Sequence, residues 1–244
     1  MDDFILTMDL DWAPDFMIDA VAEQLIAANV KATIFVTHDS PAVRRLDEHP
    51  ELFELGLHPN FLANSTHGDT TESVLQHCID LVPNATSMRT HALVQSGHIL
   101  MKVVECTSIE IDLSLLLPEM PNIQIVELPL PKRPLLRLPY YWEDDLEAIR
   151  PTSTWHLETH KHVTGLKVFD FHPVFIYLNS DTLDSYADMK QLGHLADITP
   201  EQAQPFVNSG HGVSTMFNEL VDYLSGRESY RVREIVERYH AGER

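Results

Sequence analysis

Two carboxylates, three histidines and an arginine stand at the ends of strand-like runs in this chain, and together they can carry out metal-assisted hydrolysis. Asp9 and Asp11 close the apolar run Ile5-Leu6-Thr7-Met8, and His58 closes Glu54-Leu55-Gly56-Leu57. Arg89 and His91 follow Ser87-Met88, and His172 closes Leu166-Lys167-Val168-Phe169-Asp170-Phe171. If these strands run parallel in a barrel, their ends converge at one mouth, where such folds keep their chemistry. A carboxylate with two imidazoles is a standard donor set for a divalent transition metal, with positions left open for water and substrate. A second carboxylate held near the metal can take a proton from water whose pKa the metal lowers. A histidine on the other side can protonate the leaving group. Taken singly, each residue also reads as a helix cap, a turn or a surface group; the combination is what points to a site.

The elements that must position these groups follow from periodicity. Phe4 to Met8 reads as a first strand, and Ala13-Pro14-Asp15 as a helix start with proline early and an acid in the first turn. Phe16, Ile18, Val21, Leu25 and Ile26 continue at helical spacing, and Ala32 to Val36 is a second strand. Strand, helix, strand in that order implies parallel pairing with a right-handed crossover. A helix over Pro41 to Leu52 leads to the strand ending on His58, and Pro59 to Asp69 has loop chemistry. Thr70 to Leu81 reads as a helix. Val103 to Leu117 is expected to hold a strand, and the proline-rich stretch from Pro118 to Pro139 to wrap the surface. Residues 180 to 210 read as loop, and Phe217–Leu224 and Tyr230–Tyr239 as closing helices. Tyr140-Tyr141-Trp142-Glu143-Asp144-Asp145 sets aromatic rings beside acids, which suits core packing or the wall of a sugar or acyl pocket.

Composition narrows the class. The 244 residues suit one α/β domain spanning 1–244, and a hydrophobic share of 44% suits a globular enzyme. With 37 acidic residues against 17 lysines and arginines, the net charge of -20 argues against nucleic acid and anionic membranes as partners. No apolar run reaches transmembrane length, so membrane insertion is not expected. Two cysteines, Cys78 and Cys106, form no CxxC pair, which points with an N-terminus that has no basic residues and leads into a strand to a reducing, cytoplasmic location. Of the fourteen histidines, His38, His49, His77, His156, His160 and His162 have no comparable context.

With these residues in view, the chain resembles the polysaccharide deacetylase family, the NodB-homology or carbohydrate esterase family 4 domain, over about residues 4 to 178. Thr7-Met8-Asp9-Leu10-Asp11 resembles the family's Thr-Phe-Asp-Asp motif with one extra residue between the acids. The resemblance implies Asp9 as general base and Asp11 as metal ligand. The family's second motif has two histidines four apart; His58 fits the first, Leu62 occupies the second, and His67 is the candidate replacement ligand. Arg89 resembles the arginine that orients the catalytic aspartate, while His91 stands where the family has proline. Tyr141-Trp142-Glu143-Asp144 resembles the fourth motif, and Phe169-Asp170-Phe171-His172 the fifth, which implies His172 as general acid. Tyr141, Trp142, His91 and Asp144 are then expected at the substrate.

The resemblance thus implies a distorted (β/α) barrel holding a divalent metal, zinc in most members, that removes an acetyl group from a sugar or polysaccharide precursor. It is nearest to divergent members from surface-polysaccharide and lipopolysaccharide gene sets. Two alternatives stay open: a hydrolase of a non-sugar amide or ester, and a catalytically silent carbohydrate-binding barrel. The oligomeric state is open as well.

Overall fold

A computed structural model describes residues 3–242. β1 (Phe4–Asp9) is buried along its whole length, as a parallel strand covered on both faces must be. α1 (Asp15–Ala28) starts behind Pro14 and stops at Asn29, whose left-handed backbone (φ 51°) turns its N–H onto the carbonyls of Leu25 and Ile26. Met17, Ile18, Val21 and Leu25 are its buried residues. β2 (Ala32–Val36) follows, then α2 (Pro41–Asp47). This helix is shorter than its sequence pattern suggests, because Pro50 bars helical backbone at His49. The amides of Leu52 and Phe53 fold back on the His49 carbonyl instead.

β3 (Phe53–Leu57), α3 (Thr71–Leu81) and β4 (Ser87–Met88) come next. Gly56 is required by close packing: a Cβ there would stand 2.7 Å from the Phe35 ring and 2.8 Å from Ser87 Oγ. The stretch expected as a strand from Val103 divides between α4 (Gly97–Cys106), capped by Ser96, and the two-residue β5 (Ile111–Asp112). Within the proline-rich connection β6 (Val126–Leu128) and β7 (Leu135–Arg137) pair antiparallel, their prolines confined to the ends and the turn. β8 (Trp142–Glu143), α5 (Asp144–Ala148), β9 (Lys167–Phe171) and α6 (Pro173–Leu178) complete the wall. α7 (Asp184–Lys190) and α8 (Pro200–Ala203) lie in the segment expected as loop, and α9 (Val213–Leu224) and α10 (Val232–His240) end the chain.

The strands form one sheet in the order β6-β7-β5-β4-β3-β2-β1-β9-β8, parallel except for the β6–β7 pair. The sheet curls into an open, distorted (β/α) barrel of the expected class. At its floor Glu54, fully buried, accepts from Thr33 Oγ1, Ser87 Oγ and the Arg233 amide, which ties α10 to the strands. At the opposite mouth the ladder continues past the strand ends: Leu10 N–H to Phe35 O, His58 N–H to Val36 O, Arg89 N–H to Leu57 O and His91 N–H to Pro59 O, all at 3.0–3.2 Å. Asp9, Asp11, His58, Arg89, His91 and His172 therefore come to one place. No helix among the described residues is long and apolar enough to cross a membrane.

Candidate active site

Asp11 is the hub of the mouth. Its Oδ1 faces His58 Nε2 at 3.1 Å and His91 Nδ1 at 3.0 Å, and its Oδ2 lies 3.7 Å from His172 Nε2. The backbone that aims it is strained: Asp11 (φ 44°) and Trp12 (φ 57°) both occupy the left-handed region, a conformation that non-glycine residues keep only where their surroundings impose it. The Trp12 amide donating to Thr37 Oγ1 at 3.1 Å and the Ala13 amide to Leu10 O at 2.8 Å supply that hold. Ala92 and Leu93, directly after His91, are left-handed too. Burial alone would raise the Asp11 carboxyl, but the two imidazoles outweigh it and hold the group well below the usual carboxylate range. His91 moves up, its burial overcome by Asp11.

Arg89 is buried between the rings of Phe35 and Tyr140, its guanidinium carbon 4.7 and 4.5 Å from their centres. Its Nη1 donates to Asp9 Oδ1 at 2.9 Å and to Asp170 Oδ1, and Nη2 donates to Thr7 Oγ1 at 2.7 Å. One guanidinium thus serves two buried carboxylates. Burial pushes Asp170 well above the carboxylate range even though Arg89 opposes the rise.

His172 is held from behind by Asp144. Its Nδ1 lies 2.7 Å from Asp144 Oδ1, and its own amide donates to Asp144 Oδ2 at 2.7 Å. Burial would lower His172; the Asp144 charge overrides that and carries it well above 6.5. Nδ1 is occupied by the carboxylate, so Nε2 is the atom turned toward Asp11.

The structure brings Asp9, Asp11, His58, His91 and His172 around one pocket of about 130 Å³, with Thr90, Ala92, Leu93, Glu143 and Asp145 completing its wall. His67 is not among them. Its Nε2 donates to Thr37 O at 2.9 Å, and its Nδ1 accepts from the Asn60 amide at 3.2 Å, so both ring nitrogens brace loops. Burial first, then the charge of neighbouring His77, pulls it down to about 4. Trp142 packs in the core against Phe169 and Phe171, and the Tyr141 hydroxyl meets His160 Nδ1 at 3.1 Å; neither lines the pocket. Asp144 acts through His172. Glu143 and Asp145, which the sequence offers only as neighbours of Asp144, line the pocket themselves. They flank Asp144 across the end of β8 and the start of α5, and burial with the Asp145 charge pushes Glu143 up to about 8.

Among the described residues two clusters bring ligand atoms within 4.8 Å of one another: Asp11, His58 and His91, and Asp9, Asp170 and His172. The second already has its counter-charge in Arg89. The first fits a divalent cation by donor chemistry and by spacing. Ligand atoms about 2.0–2.1 Å from a tetrahedral ion lie about 3.3 Å apart, close to the 3.0 and 3.1 Å seen here.

Residues 6–190 match the family model of the WbmS-like polysaccharide deacetylases. No curated protein matches the chain. Among solved structures, WbmS of Bordetella bronchiseptica, assigned as a polysaccharide deacetylase involved in O-antigen biosynthesis, is 30% identical, with a TM-score of 0.78 over 91% of this chain and 90% of that one. The Xyl-CE4 domain of a multidomain xylanase from the hindgut metagenome of Trinervitermes trinervoides shares the fold at 11% identity, with a TM-score of 0.50 over 98% and 91%. The 4-alpha-glucanotransferase of Thermococcus litoralis shares it at 10% identity and 0.52, over 96% of this chain but 38% of that one.

Proposed function

This chain belongs to the WbmS-like polysaccharide deacetylase family, and we propose that it is a divalent-metal-dependent hydrolase that releases acetate from an acetylated sugar or polysaccharide precursor. The observation that carries this reading is the convergence of His58 Nε2 and His91 Nδ1 on one oxygen of Asp11, with Asp9 and His172 beside them. Asp11, His58 and His91 would hold the ion, and zinc suits two imidazoles and a carboxylate. Such an ion lowers the pKa of a water molecule and polarises an acyl carbonyl.

Asp9 accepts the proton of the attacking water. Both of its contacts to Arg89 and His58 fall on Oδ1, which leaves Oδ2 for that task. His172 delivers a proton from Nε2 to the departing sugar nitrogen or oxygen as the bond to the acyl carbon breaks, and Asp144 keeps the imidazole oriented and charged for the transfer. A pocket of about 130 Å³ holds an acyl group and water but not a sugar ring, so the sugar rests outside it. We take residues 1–244 as one catalytic domain, since α10 is fastened to the barrel floor. The exposed free thiol of Cys106 suits a reducing cytoplasm.

The test is acetate release from a panel of N- and O-acetylated sugars, with bound metal assayed in parallel. Asp9→Asn is expected to keep the metal and lose turnover. Turnover by Asp9→Asn at the wild-type rate overturns the mechanism, and acetate released only from non-sugar amides overturns the substrate class.

A further inference from the structure

His91 and Arg89 stand on either side of Thr90, and the Thr90 amide is held by a side chain rather than by the sheet. After β4 the ladder to β5 runs one step further, with the Leu113 amide donating to Met88 O at 2.8 Å. At the next position the Thr90 amide donates to Ser114 Oγ at 2.8 Å. Ser114 in turn donates its hydroxyl to Asp112 Oδ1 at 2.5 Å, and its amide donates to the same oxygen at 3.1 Å. Asp112 Oδ2 is paired with Arg137 Nε at 2.5 Å, and Arg137 Nη2 donates to Gln95 Oε1 at 2.7 Å. Gln95 Nε2 closes the ring on Ser114 O. Thr90, Asp112 and Ser114 are all essentially inaccessible to solvent.

Building on the proposed metal centre, we propose that Ser114, backed by Asp112, is a positioning residue for the ion: it sets where His91 and Arg89 point by fixing the Thr90 amide. On the β3 side the amides of residues 89 and 91 are tied to Leu57 O and Pro59 O, either side of His58. The Ser114 hydroxyl is the matching tie on the β5 side, and without it the backbone that leads into the strained turn at Ala92 and Leu93 is held from the β3 side alone. Hydrogen-bonded supports behind a ligand set its orientation and hence the affinity of the site.

The experiment is titration of Co2+ into the full-length protein, read as affinity and as the visible d–d spectrum, with circular dichroism and thermal melting alongside. Ser114→Ala, which deletes one oxygen atom, is expected to fold, to bind Co2+ about 10- to 100-fold more weakly and to change the d–d band. Ser114→Thr, which keeps the hydroxyl, is expected to restore both. Wild-type affinity and spectrum in Ser114→Ala overturn the inference, whatever happens to the melting temperature, since a merely structural serine would move only the latter. Should Ser114→Ala fail to fold, Gln95→Leu, at the half-buried edge of the ring, serves the same test: weaker Co2+ binding supports the inference and unchanged binding overturns it. Failure of the wild-type protein to bind Co2+ would strike the metal reading itself, a different outcome from a wild-type-like Ser114→Ala.

Discussion

Replacing His91 and His67 separately by alanine distinguishes the proposed ligand His91, across the strands from His58, from the brace His67, nine residues after His58 along the loop that follows it. Structural zinc sites with four protein ligands bind with about 10–16 kcal/mol, or roughly 2.5–4 kcal/mol per ligand. At about 1.4 kcal/mol per factor of ten, His91→Ala should weaken the cation by about 10²- to 10³-fold. Its side chain is 21% exposed, so the fold should barely register the change. His67→Ala should do the reverse. It deletes the bonds to Thr37 O and from the Asn60 amide, each worth about 0.5–1.5 kcal/mol. That predicts a loss of roughly 1–3 kcal/mol, or about 2–12 °C in melting temperature for a chain of this size, with cation affinity within about tenfold of wild type. Calorimetric titration with Zn2+ against a competing chelator, paired with thermal melts, reads both quantities. If His67→Ala loses the metal and His91→Ala keeps it, the assignment of the ligands fails.

Three further outcomes follow from the same geometry. Arg89→Met strands the buried carboxylate of Asp9 without its counter-charge and leaves Asp170 without its donor, which should cost about 3–5 kcal/mol, or roughly 6–20 °C. Urea denaturation should show part of that recovered in Arg89→Met with Asp170→Asn, and equal stability of the single and double variants would contradict the shared guanidinium. Asp144→Asn should lower kcat by about 10²- to 10⁴-fold, the range of a general acid, while Co2+ affinity holds; lost affinity with unchanged kcat would refute the role given to Asp144. His67 is depressed to about 4 in the folded protein, against about 6.5 when unfolded. The unfolded chain therefore binds the extra proton, and this contribution to stability is complete above about pH 6.5 and lost as pH falls toward 4. Urea midpoints between pH 7.5 and 4.5 should fall less steeply for His67→Gln than for wild type, and matching slopes would refute the assignment.

How much of this was legible depended on how local each signal was. β2 and α3 could be read because a short buried-type run (Ala32-Thr33-Ile34-Phe35-Val36) and a Thr70 cap with helical spacing each settle a segment on its own terms. β6 and β7 could not, since three-residue strands among prolines exist only because they pair with each other and with β5. α4 carried a signal, a Ser96 cap with Leu100, Val103 and Val104 at helical spacing, but the β-branched residues drew the reading toward a strand. The choice between His67 and His91 is the sharpest case. His67 follows His58 through a loop and His91 comes only after α3 and β4, yet the bond from the His91 amide to Pro59 O sets His91 beside it. Asp170 and Ser114 escaped for the same reason: each acts on a group that is distant in sequence.

The pair Asp9 and Asp11 shows why the extra residue between the acids matters physically. Side chains on a strand alternate between faces, so adjacent acids would point opposite ways, while residues two apart share a face. Leu10 takes the intervening position and is buried in the core. Asp9 remains on β1, where Arg89 reaches it from β4. Asp11 lies just beyond the strand, and its left-handed backbone swings the carboxylate off the strand direction and onto His58 and His91. The spacing and the strain act together: one acid stays in the sheet, held by an arginine, which suits the proposed proton acceptor, and the other leaves the sheet to meet two imidazoles, which suits the proposed metal ligand. A strand continued through Asp11 would keep the two carboxylates in one row and leave the histidines without their shared oxygen.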